Sequence, residues 1–137
     1  MGGRINSLDF DLLFGKRRHK PLTRVGNAVY MLDKLLKNME KDPSLVHDNL
    51  MLAAWVCKRS VIDNETFPPG TTLAVTMGYK MKVITYEQAI TLTLGRLGEA
   101  AASHPSMMEI VSEILDGGQA FYDLDSMIPD DKKSKFI

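Results

Sequence analysis

The stretch Leu50-Met51-Leu52-Ala53-Ala54-Trp55-Val56-Cys57 is apolar on every side and offers no face to water. A helix that is hydrophobic all round has to be buried by neighbours on several faces. Asp42-Pro43 marks its start, because a capping side chain followed by proline at the first helical position opens helices. The expectation is a helix ending near Val61, at the centre of one domain whose other elements wrap it. A chain of 137 residues with 45% apolar and 25% charged side chains is large enough to do this without metal or disulfide support.

The wrapping elements are readable from their periods. Val25, Ala28, Leu32, Leu35 and Met39 recur at steps of three and four after Thr23, a capping residue, which predicts a helix from about Arg24 to Lys41. Val29 and Leu36 widen that stripe, and Asp33, Lys34, Lys37 and Asn38 are expected to face away from it. Pro68-Pro69-Gly70 reads as loop. Leu73, Val75 and Met77, then Tyr79, Met81 and Val83, alternate with polar or small residues around Gly78. That period of two predicts a hairpin with Lys80 and Lys82 on its solvent face. Thr85 with Gln88 and Ser106 with Glu109 each form a capping-box pattern, predicting two further helices, the second stopped at Gly117-Gly118. A short apolar segment follows around Phe121 and Tyr122.

The expected fold class is therefore helix-rich α+β, with about four helices, one β-hairpin between the second and third, and a basic N-terminal arm. Residues 1–21 form that arm, with a short strand expected at 8–14. Residues 22–125 form the domain and 126–137 a flexible C-terminal tail.

The net charge of zero conceals two opposite ends. Residues 1–41 hold nine Lys/Arg against four Asp/Glu, and residues 42–137 hold eight against thirteen. Four of the cations, Lys16, Arg17, Arg18 and Lys20, fall within one short run beside His19, directly after the apolar knot Leu12-Leu13-Phe14. Such a block is an anion-binding candidate: on nucleic acid it would hold phosphates with little sequence preference and strong salt dependence. On an anionic membrane each cation near the surface is worth about 1 kcal/mol, and Leu12, Leu13 and Phe14 would serve as the apolar anchor. The run holds no aromatic ring on which bases could stack, which favours phosphate contact over base reading. The bland alternative is a solvated charge run.

Leu8, Phe10, Leu12 and Phe14 also alternate with Asp9 and Asp11, so this segment suits a strand added to the hairpin of its own chain or of a neighbour. Leu94-Gly95-Arg96-Leu97-Gly98 contains Gly-x-x-Gly with a basic residue inside, a pattern that nucleic-acid-clamping loops use, and that two glycines at a close helix contact or a kink also give.

Chemistry-bearing motifs are sparse. His19, His47 and His104 have no metal-site spacing, so no metal and no cofactor is expected. Cys57, the single cysteine, cannot form an internal bridge, which fits a reducing compartment. The expected localisation is intracellular and cytoplasmic, with peripheral membrane association through the arm as a variant. Scattered residues such as His47, Asp48 and Cys57 are the material for an enzymatic alternative. The leading expectation is a small non-enzymatic binding and assembly protein, a description that a viral structural or accessory protein fits, as does a bacterial adaptor. It self-associates as a homo-oligomer and contacts nucleic acid or an anionic membrane through the arm. The rival is an inhibitor or adaptor module that meets a protein partner through its acidic C-terminal half, where seven acids between Glu109 and Asp131 occur without a Lys or Arg.

Overall fold

In a computed structural model of the chain, residues 24–63, 68–77 and 80–129 are described. Five α-helices and two strands follow one another: α1 (Arg24–Lys41), α2 (Val46–Asp63), β1 (Thr72–Met77), β2 (Lys80–Thr85), α3 (Tyr86–Ala102), α4 (Met108–Leu115) and α5 (Gln119–Met127). Short 3-10 turns at Pro43–Leu45 and Pro105–Met107 lead into α2 and α4. The molecule is helix-rich with one two-stranded antiparallel hairpin. It differs from the four-helix expectation because the segment around Phe121 is a full helix. Counting the turn at Pro43–Leu45, three helical segments precede the hairpin rather than two.

The all-round apolar stretch sits where its composition requires. Leu50, Leu52, Ala53, Ala54, Trp55, Val56 and Cys57 are buried, and α1, α3, α4 and α5 all pack against α2. From α1 come Met31, Leu32, Leu35 and Met39; from α3, Leu97 and Ala101; from the C-terminal pair, Val111, Ile114, Phe121 and Leu124. The core runs on through the end of α5, since Ile128 is buried too.

Local chemistry sets the element ends. Asp42 accepts from the Ser44 backbone N–H at 3.0 Å, but it caps the 3-10 turn rather than α2 itself. At α3 the reciprocal pair forms: Thr85 Oγ1 accepts from Gln88 N at 3.1 Å, and Gln88 Oε1 accepts from Thr85 N at 2.9 Å. The second capping box does not form. Pro105 opens a 3-10 turn that takes in Ser106, and α4 starts after it without a side-chain cap. At the other end of α4, Gly117 N–H donates to Ile114 O and Gly118 N–H to Glu113 O. Gly117 takes the left-handed conformation, φ 75°, that this stop motif needs and glycine supplies at least cost.

The hairpin departs from expectation in a way that matters for function. Val75 lies opposite Lys82 and Ala74 opposite Val83. Directly opposed residues share a face, so Lys82, and Lys80 two residues away, lie on the side that buries Val75. Val83 and Met81 lie on the open side with exposed Ala74. The reason is parity. Met77 pairs with Lys80 across two intervening residues, which sets odd-numbered residues of β1 opposite even-numbered residues of β2. Both strands alternate cleanly, yet their apolar sets fall on opposite faces.

Candidate interaction surfaces

β1 lies against α1, and β2 passes directly into α3. Val75 is fully buried, whereas Val83 is 71% and Met81 56% exposed. Among the described residues the sheet has two strands, so no described strand covers the outer edge of β2. Lys80 and Lys82 are exposed as well. β2 thus offers two exposed apolar side chains on one face and two exposed ammonium groups on the other. An isolated two-stranded sheet is marginal in water, and this one is supported chiefly by α1 against β1, with further contacts from α3.

A second surface is a cleft of about 620 Å³ between α1 and the C-terminal half of α3. Arg96 donates to Asp33 across it, and Lys37 lies 3.4 Å from the same carboxylate. Glu40, Glu99 and His104 line its rim. Partial burial pushes the Asp33 carboxyl up, but the hydrogen bond and charge of Arg96, with those of Lys37, outweigh this and hold it below the usual carboxylate range. Arg96 is the basic residue inside Gly95-x-x-Gly98. The loop reading of that motif fails, because all five residues 94–98 lie within α3. The close-packing reading fails too: a side chain added at Gly95 or Gly98 would meet nothing within 4 Å.

A third feature joins α2 to α5. Asp125 accepts from Trp55 Nε1 at 2.9 Å and pairs with Arg59 at 3.2 Å, fixing the last helix on the central one. Beyond it, Glu109, Glu113, Asp116 and Asp123 stand exposed on α4, α5 and the connection between them, with exposed Tyr122 among them.

The residues expected to carry anion contact, Lys16, Arg17, Arg18 and Lys20, and the apolar anchor Leu12, Leu13 and Phe14 lie outside the described residues. His47, Asp48 and Cys57 do not converge on a reaction centre. His47 and Cys57 lie ten residues apart on one helix, about 15 Å along its axis. Cys57 is buried beside the Thr93 carbonyl, and burial pushes its thiol up to about 12. His47 Nδ1 stands 3.4 Å from the buried carboxylate of Asp48. Among the described residues no cluster of three or more His, Cys, Asp or Glu is arranged to hold a metal ion, and no helix is long and apolar enough to cross a membrane. Comparison with protein-family models, curated proteins and solved structures gave no match.

Sequence reasoning missed the Asp33–Arg96 and Asp125–Trp55 contacts. Their partners are 63 and 70 residues apart, and no local pattern links them. The open face of β2 was legible in principle, from the number of residues between the strands.

Proposed function

We propose that this chain is a small non-enzymatic binding and assembly protein, with a self-associating helical body and a cationic leader that grips a phosphate-bearing polyanion. The supporting observation is the placement of guanidinium groups. Both arginines of the body whose side chains are described, Arg59 and Arg96, are committed to carboxylates within the chain. Arginine is the side chain best suited to bidentate phosphate contact. Of the remaining arginines, Arg4, Arg17, Arg18 and Arg24, only Arg17 and Arg18 are adjacent to each other, with Lys16 and Lys20 beside them, and we assign phosphate contact to that run. Nucleic acid and an anionic membrane face present the same phosphate chemistry. The exposed acids of α4 and α5 favour a second reading, in which a basic protein partner meets that half of the molecule.

The test is binding of the full chain to labelled RNA, to DNA and to anionic vesicles across a salt series, against the variant Lys16→Ala/Arg17→Ala/Arg18→Ala/Lys20→Ala. On nucleic acid, losing up to four phosphate contacts should flatten the log–log salt dependence by roughly 3. Binding to vesicles alone would assign the membrane as partner. Salt-insensitive binding, or equal binding by the variant, rejects the arm as the gripping element.

A further inference from the structure

We propose that the cleft between α1 and α3 binds a linear aliphatic diamine, with its ammonium groups on Glu40 and Glu99 and its methylene chain on the apolar floor. The site belongs to the helical body and makes no use of the cationic leader.

The cleft measures about 620 Å³, and sites for small molecules run from about 300 to 1,000 Å³. Its floor comes from Leu36 and Met39 of α1, Val46 at the start of α2 and Ala100 of α3. Leu36, Val46 and Ala100 pack on the core while remaining partly exposed, so the surface they leave in the opening is apolar.

The charged side chains of the cleft divide by whether the chain already uses them. Arg96 donates to Asp33, and Lys37 lies 3.4 Å from the same carboxylate, so both cations are engaged with one acid. Glu40 and Glu99 are exposed, and among the described residues neither forms an ion pair. Two cations and three carboxylates give the lining a formal charge of −1 (2 − 3), with His104 neutral. Glu40 follows Lys37 by three residues and Glu99 follows Arg96 by three, so each acid shares a helix face with an engaged cation and lies about 4.5 Å further along the axis.

One uncommitted carboxylate on each wall, with apolar surface beneath, calls for ammonium groups joined by methylenes. Other ligand classes fit less well. An anion would have to displace Asp33 and approach two further carboxylates. A metal ion would leave the floor uncovered, and among the described residues no three metal-ligating side chains converge.

Methyl NMR on the full chain, titrated with diaminobutane and with diaminohexane, tests this. Saturable shifts should centre on the methyl groups of Leu36, Met39 and Val46. The longer diamine should bind more tightly, by up to about fourfold for each added methylene that is buried. Glu40→Gln/Glu99→Gln keeps the shape of both walls and should weaken binding by roughly tenfold or more, the loss expected for charge-assisted hydrogen bonds. The Trp55 indole N–H resonance, unchanged throughout, reports an intact body. Absence of shifts at millimolar diamine overturns the proposal, as does equal affinity in the Gln variant or a longer diamine that binds no tighter. Equal binding of ammonium chloride would mark a counter-ion only and also overturns it. Glu109→Gln/Asp116→Asn, on the exposed acids of the C-terminal half, should bind the diamine as the parent does; weaker binding there moves the site out of the cleft. The Lys16→Ala/Arg17→Ala/Arg18→Ala/Lys20→Ala variant should also bind the diamine as the parent does, so loss of phosphate binding and loss of amine binding are read separately.

Discussion

Three glycines make opposite forecasts for one and the same substitution. Gly95 and Gly98 lie inside α3 with open space where a side chain would go, whereas Gly117 sits at φ 75° with Lys58 Cε 3.2 Å from an added Cβ. Glycine within a helix is less favourable than alanine by roughly 0.5–1 kcal/mol, mainly through the entropy of the unfolded chain. With no steric penalty to offset this, Gly95→Ala and Gly98→Ala should each stabilise by about that amount, and the pair by about 1–2 kcal/mol. An unfolding entropy near 2.1 cal/mol/K per residue makes about 1 kcal/mol worth roughly 4 °C in a chain of this size, so the double variant should melt about 4–8 °C higher. Gly117→Ala forces an L side chain into the left-handed region at a cost of roughly 1–2 kcal/mol, and its Tm should fall by about 4–8 °C. Thermal melts and urea titrations followed by circular dichroism read all three, and an unchanged m-value confirms that native stability moved. Loss of stability in Gly95→Ala or Gly98→Ala would show that the outer face of α3 is already covered. A neutral Gly117→Ala would remove the account of how α4 ends.

Asp33 and Cys57 give two further expectations. The carboxyl of Asp33 titrates below its ordinary value in the folded chain, so the unfolded state binds its proton first as the medium is acidified. Its stabilising contribution is complete above the unfolded pKa near 4 and lost as pH falls through the lower folded value; acid titration of stability in Asp33→Asn should show a shallower decline over that window, and an identical profile would exclude the Arg96 contact as a source of stability. Cys57, buried and with its thiol raised to about 12, should react with a thiol reagent at pH 8 far more slowly in the native chain than in denaturant. Rapid labelling of native protein would mean that α2 opens readily next to α3.

What the sequence determined by itself is what depends on neighbours along the chain. The burial of Leu50 and of Leu52–Cys57 follows from an absence of polar faces, the start of α3 from Thr85 and Gln88 three residues apart, and the stop of α4 from a glycine that accepts a left-handed conformation. Ser106 and Glu109 carry the same capping pattern, yet Pro105 imposes a different turn, because a capping side chain acts only if the backbone around it already has the right dihedrals. The opposed signs of the two ends were equally plain, since charge is a property of composition. Tertiary structure decided which faces meet. Whether Val83 or Lys82 looks outward depends on the pairing of β1 with β2, and the partners of Arg96 and Trp55 come from segments more than sixty residues away. Periodicity fixes which side chains share a face; which of two faces is covered is settled only when another element packs against it.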